Sequence, residues 1–191
     1  MRHKEFDPAV ALDQAMVLFW DTGYEATSVQ DLTEKLGIGR RSLYDTFGDK
    51  HSLFMQSLRH YAETEARRVW EAVERAADAR EGVRVLLGAG LSQSSRGTGC
   101  LVVNTATEVG PRDGDAAEFV EQHLGGVRSA LTDLVRRGQG EGSIANPAAP
   151  EVLASVLFTA WLGLRVGVRA GLSRRRLERD LSDILSLLDR A

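Results

Sequence analysis

The sequence predicts an all-α protein of about nine helices, a small N-terminal three-helix module followed by a larger helical one. Three observations predict this fold class. Apolar residues recur at helical spacing along most of the chain, and no stretch alternates with the period of two that marks a strand. Ser, Thr or Asp precedes several of these runs, where an N-cap belongs. Glycine-rich joints at 95–99, 110–114, 138–143 and 171–173 separate the later runs.

Taken in order, Asp7-Pro8 opens the first helix, with Asp as N-cap and Pro in the first helical position. Ala11, Ala15, Leu18 and Phe19 share one face, and Gly23 ends it. Thr27-Ser28-Val29-Gln30 has the spacing of a capping box and predicts a second helix from about Ser28 to Leu36, with Val29, Leu32 and Leu36 inward. Gly37-Ile38-Gly39 makes a turn, since glycine permits positive φ. A third helix over 40–47 buries Leu43 and Phe47. Gly48-Asp49 then breaks the chain and caps a long helix over 50–77, with Leu53, Phe54, Leu58, Tyr61 and Trp70 buried. Helices follow over 81–94, 100–109, 114–138, 149–171 and 173–190. The longest apolar run, 152–172, contains Arg165 and Arg169. Charges are costly in a bilayer, so this is a buried helix and no membrane span is expected.

With 191 residues, 43% hydrophobic and 27% charged, the chain can bury a real core. Its single cysteine, Cys100, excludes an intrachain disulfide and suits a reducing, cytoplasmic setting. The N-terminal residues show no apolar segment of a secretory signal. Net charge is −3, and residues 1–50 hold six Lys/Arg against nine Asp/Glu. A nucleic-acid-binding domain usually carries a basic footprint. Here only a local cluster is available: Arg2 and Lys4 in the N-terminal arm, Arg40 and Arg41 opening the third helix, and Lys50 beyond it. Few neutralised phosphates mean weak nonspecific affinity.

Two short helices joined by a tight turn suit insertion of the second into the major groove of DNA. The residues that carry this unit are Gly23-Tyr24-Glu25-Ala26-Thr27-Ser28-Val29, Leu36-Gly37-Ile38-Gly39, Ser42-Leu43-Tyr44-Asp45-Thr46-Phe47 and Asp49-Lys50-His51-Ser52-Leu53-Phe54. Over these 50 or so residues the chain resembles the TetR family of transcriptional regulators. The resemblance implies a DNA-binding domain over 1–50 and an effector-binding and dimerisation domain over 51–191. It also implies a repressor that binds a palindromic operator as a homodimer and is released by a small-molecule effector. A second stretch, Gly99 to Glu108, is similar to a segment in one group of these regulators.

On the third helix, Arg40, Arg41, Tyr44 and Asp45 face away from Leu43 and Phe47, with Gly39 at the tip. An Arg pairs bidentately with guanine, worth about 1–3 kcal/mol. Asp45 either accepts from cytosine or orients Arg41. The family resemblance adds Thr27, Tyr44 and Lys50 as phosphate contacts. Ser28, at the start of the second helix, and His51 complete the expected DNA-binding set, and helix N-termini attract phosphates.

For the dimer interface, Ser155, Thr159, Gly163, Gly167 and Gly171 recur every four residues and allow close helix approach. Leu177, Leu181, Ile184 and Leu188 form the adjoining stripe. The alternative is that the small ridge packs inside one protomer. For the effector, Trp70, Leu86, Val103, Asn104, Thr107, Phe119, His123, Phe158, Trp161 and Leu162 are candidate cavity walls, each also explicable as ordinary core. Glu108 either caps a helix or pairs with Arg112.

No catalytic function is expected, because Cys100 has no base beside it in sequence. The four His and one Cys lack metal-ligand spacing, and no phosphate loop follows a strand, so no cofactor is expected. The remaining alternative is a ligand-independent DNA-binding or architectural protein. A tightly filled C-terminal core would favour it and a cavity would oppose it.

Overall fold

The computed structural model describes residues 6–91 and 97–189. Among these, nine α-helices and no strands occur: α1 Pro8–Thr22, α2 Val29–Leu36, α3 Arg40–Phe47, α4 Lys50–Glu74, α5 Ala79–Gly88, α6 Leu101–Glu108, α7 Gly114–Glu141, α8 Pro150–Arg169 and α9 Arg174–Leu185. Short 3₁₀ turns at Gly110–Arg112 and Ser186–Asp189 follow α6 and α9. Arg2, Lys4 and part of the 95–99 joint lie outside the described residues.

Most helices start where a short polar side chain takes up an orphan amide. Asp7 accepts from Ala9 N at 2.8 Å, Asp49 from Ser52 N at 2.7 Å, Asp78 from Glu81 N at 2.8 Å and Asp113 from Ala116 N at 2.9 Å. The cap of α2 differs from the expected one by one residue. Ser28, not Thr27, is the N-cap, and its partner is Asp31, not Gln30. Asp78 likewise starts α5 two residues before the expected position. At the other end, α7 continues through Gly138 and Gly140 to Glu141. A Cβ on Gly138 would lie 2.6 Å from Ile144 Cδ1, so that glycine gives the returning chain room to fold onto the helix.

The core of the N-terminal helices brings Phe19 of α1 edge-on to Phe54 of α4, with ring centroids 5.2 Å apart, and fully buries Leu32 and Leu43. Beyond Tyr61, α4 leaves α1 and runs beside α5, while α7 packs on both α5 and α8. Helix α8 is long and apolar enough to cross a membrane, and half of its apolar window is buried inside the protein. Its buried face carries Leu153, Leu157, Trp161 and Leu164. Trp70, expected in the core, is 42% exposed.

The stripe from α9 also departs from expectation. Leu177, Leu181 and Leu188 are buried within the chain, with Ile184 half-buried. The three leucines close this protomer's own core and are not free for a partner. Gly167 belongs with them, because a Cβ there would lie 2.8 Å from Leu177 Cδ2. Gly171 has φ +73° in the turn after α8 and is not a helical ridge position. What stays exposed on α8, besides the charged Glu151 and Arg169 near its ends, is Val152, Ser155, Val156, Thr159, Gly163 and Val166.

Candidate nucleic-acid interface and internal cavity

The turn between α2 and α3 is set by Gly37 at φ +64°, ψ +28°, the left-handed conformation that glycine adopts without strain. Ile38 then donates its amide to Thr33 O at 3.2 Å and packs against the core. The turn fixes α3 so that Leu43 and Phe47 are buried and Arg40, Arg41, Tyr44 and Asp45 are exposed. Arg41 Nε lies 3.6 Å from Asp45 Oδ2, with the side chains 94% and 70% exposed. Such a pair contributes a few tenths of a kcal/mol, so it orients Arg41 without holding it. Gly39 caps α3 with no side-chain bond, which leaves its tip open.

Three expected DNA contacts are placed differently. Thr27 is wholly buried and donates its hydroxyl to Gly23 O at 2.6 Å, so its side chain holds the corner and cannot meet a phosphate. His51 turns from the α3 surface toward the C-terminal helices, with Nε2 2.7 Å from Asp113 Oδ2. Lys50 Nζ sits 4.3 Å from the centre of the Tyr24 ring, half-buried at the edge of the α3 surface. Ser28 is exposed, but Asp31 already occupies the N-terminus of α2: its Oδ2 accepts from Ser28 N at 2.8 Å and from Ser28 Oγ at 2.7 Å. These bonds hold the Asp31 carboxyl below its ordinary range. A fixed carboxylate there competes with a phosphate.

The two halves meet through polar links that the sequence did not disclose. Glu108 Oε1 accepts from Glu25 N at 3.0 Å, instead of capping a helix or pairing with Arg112. The same oxygen lies 2.8 Å from where a Cβ on Gly23 would stand, and Gly23 has φ +96°, so glycine serves both the turn and this approach. Trp20 Nε1 donates to Gly99 O at 3.2 Å, and Arg169 Nη1 reaches Trp20 O at 3.5 Å.

A cavity of about 390 Å³ opens between α4, α5, α7 and α8. Of the ten candidate wall residues, Trp70, Leu86, His123 and Trp161 line it. The others do not. Val103 is packed into the core, Asn104 donates to Thr98 O at 2.8 Å, and Thr107 is exposed with its hydroxyl on Asn104 O at 3.0 Å. Phe119 stacks on His123, Phe158 borders a separate depression of about 620 Å³, and Leu162 is only packed at the core's edge. Sequence reasoning missed Tyr61, Glu65, Cys100 and Arg165 as walls. The signal for Arg165 was present: a lone charge inside an apolar helix was used only to argue against a bilayer, although a buried charge demands a partner in any setting. Burial pushes the Tyr61 phenol well above its ordinary value, helped by the neighbouring Cys100 thiol, and burial holds the His123 imidazole below its own.

Comparison with known proteins bears on both halves. The family of bacterial regulatory proteins named tetR matches residues 11–56, and the tetracyclin repressor-like C-terminal domain matches residues 88–184. The chain is 32% identical over 192 residues to the uncharacterized HTH-type transcriptional regulator YezE of Bacillus subtilis (strain 168), covering 98% of this chain and 99% of that one. It is 30% identical over 181 residues to the HTH-type transcriptional repressor ComR of Escherichia coli (strain K12), covering 92% and 86%. Among solved structures, a cysteine mutant of the TetR family regulator CifR, complexed with 26bp double-strand operator DNA, superposes with a TM-score of 0.84 at 30% identity, covering 98% of this chain and 100% of that one.

Proposed function

The chain belongs to the TetR family and is a DNA-binding transcriptional regulator, and from that premise we propose that it is a repressor acting as a homodimer on a palindromic operator and released by a small molecule. The observation that carries the reading is the face of α3, where Arg40, Arg41 and Tyr44 project from a helix anchored by Leu43 and Phe47. In this reading Arg41 reads a base, Asp45 steadies it, Arg40 and Tyr44 meet the backbone, and Lys50 joins them by leaving the Tyr24 ring. Gly39 admits the close approach of DNA at the tip.

Residues 1–50 serve as the DNA-binding module and 51–191 as the effector and dimerisation module, with α4 beginning at the boundary. The cavity between α4, α5, α7 and α8 favours an effector-responsive protein over a ligand-independent one. The dimer seam is the exposed stripe of α8, Val152, Ser155, Val156, Thr159, Gly163 and Val166, narrower than the stripe expected from sequence. Family membership supports a cytoplasmic regulator without catalytic activity.

The test uses the full-length protein and duplexes selected by it from a randomised pool. The selected sites are expected to be palindromic, as a two-fold dimer requires. In a mobility-shift assay, Arg41→Ala weakens binding by about tenfold or more while the melting temperature holds. Unchanged affinity in both Arg41→Ala and Tyr44→Phe would overturn the assignment of α3.

A further inference from the structure

We propose that the effector is an apolar anion, a carboxylate or acidic phenol on a hydrocarbon body, whose charge is held by Arg165 in the cavity. The proposal rests on the effector reading and adds the ligand's chemical class.

Arg165 is 7% exposed and lies on the cavity wall. Among the described residues it takes part in no ion pair. Its one hydrogen bond there is a long one, from Nη2 to Leu86 O at 3.4 Å, and its Cζ lies 5.0 Å from the centre of the Trp161 ring. A guanidinium has five N–H donors in a planar fork, so most are unspent. A buried guanidinium that serves the fold alone is normally matched by a carboxylate or several carbonyls. Here a seat is provided without that match. Gly90 has φ +81°, and a Cβ on it would stand 2.8 Å from Arg165 Nη1, so the guanidinium occupies space that any other residue would take.

Glu65 is near enough for its charge to act on Arg165, but it forms no ion pair with it. It shares the cavity wall, and its carboxylate is paired with Arg68 at 2.8 Å. Tyr61 stays a neutral phenol and His123 a neutral imidazole, because burial disfavours their charged forms. The cavity thus presents one positive fork, polar groups that can hydrogen-bond a ligand, and apolar walls from Leu86, Val127 and Trp161. A carboxylate matches the fork bidentately, and a neutral ligand of the same shape leaves it unmatched.

The test pairs two probes of equal shape, naphthoate and neutral naphthylmethanol, titrated against full-length protein by tryptophan fluorescence and then added to the protein on its selected duplex. Wild type is expected to bind naphthoate about tenfold or more tighter than the alcohol. Arg165→Gln should bring the two within about threefold while alcohol binding persists. Arg165→Lys keeps part of the preference, and it decides the matter with the wild-type pair if Arg165→Gln fails to fold. Equal affinities in wild type, or an undiminished preference in Arg165→Gln, would overturn the proposal. If the alcohol binds equally well and releases DNA, only the anion assignment falls. If naphthoate shows the Arg165-dependent preference but leaves DNA affinity unmoved, the anion assignment stands and effector control falls. Binding of neither probe overturns both.

Discussion

In the N-terminal helices Phe19, Leu32, Leu43 and Phe54 are each at most 1% exposed in one core, with Phe19 edge-on to Phe54, whereas beyond Tyr61 the helices hold open a void of about 390 Å³ with a guanidinium on its wall. The filled core has one arrangement, which suits a helix that must present Arg40, Arg41 and Tyr44 at fixed spacing. The hollow core gives up dispersion contacts and tolerates a buried charge. That sacrifice makes sense where a ligand restores what is missing and so biases the helix arrangement.

The largest expected effect sets the two cores directly against each other. Ala15 in α1 is fully buried, and Ala66 in α4 lines the cavity. Ala15→Leu overpacks a filled core and should cost about 1–3 kcal/mol in chemical denaturation. Ala66→Leu points the same added volume into empty space and should change stability by less than about 1 kcal/mol in either direction. It should also weaken naphthoate binding by occupying its room. Equal costs at the two positions would mean that the void closes in solution and that the contrast is not real.

Much of the filled half was legible in the sequence, and little of the hollow half was. Most helix starts, the glycine turn and the inward set Leu32, Leu43 and Phe47 follow from local spacing, and apart from the start of α2 they are found where spacing puts them. The cap at Ser28 was missed by one residue because Thr27 and Ser28 both satisfy the local pattern. The Thr27 hydroxyl is spent on Gly23 O four residues back, and the reciprocal Ser28–Asp31 bonds distinguish the two. The cavity walls come from four helices far apart in sequence, so no local period marks them. The leucines of α9 were misassigned for a related reason. An apolar stripe reports that a face is buried, and it does not report whether the burying surface lies in the same chain. The charged pattern of α9 gave no help, since Leu177 and Leu181 pack inward among exposed arginines.

A smaller effect concerns the link between the halves. Glu108 on α6 accepts the Glu25 amide at the corner before α2, and that corner orients the recognition unit. A carboxylate–amide bond at such a site is worth about 0.5–1.5 kcal/mol. Glu108→Ala should therefore lower stability by that amount, and Glu108→Gln, which keeps an acceptor oxygen, by less than half of it. If the link also transmits the state of the cavity, naphthoate should displace the selected duplex less effectively from Glu108→Ala than from wild type. Melting temperatures and ligand response identical to wild type in Glu108→Ala would show the two halves to be coupled elsewhere, with Trp20–Gly99 the next contact to test.

The smallest effect comes from the histidines, which divide along the same line. His51 and His60 sit 2.7 Å and 2.6 Å from the carboxylates of Asp113 and Asp13. His123 faces the cavity with no such carboxylate among the described residues, and burial holds its imidazole below the ordinary value of 6.5. Between that value and the lower one in the folded state, the unfolded chain binds more protons at this position. Stability from His123 is therefore fully present above pH 6.5 and is lost as pH falls through the folded value. His123→Gln removes this loss while leaving the His51–Asp113 and His60–Asp13 contacts in place. The difference between variant and wild-type melting temperatures should thus shift in favour of the variant as pH is lowered from 7.5 to 5.5, on the order of one pH unit either side of the ordinary histidine value. A difference independent of pH would place His123 in contact with water or with an acid, and the dry, uncompensated character assigned to that wall of the cavity would have to be withdrawn.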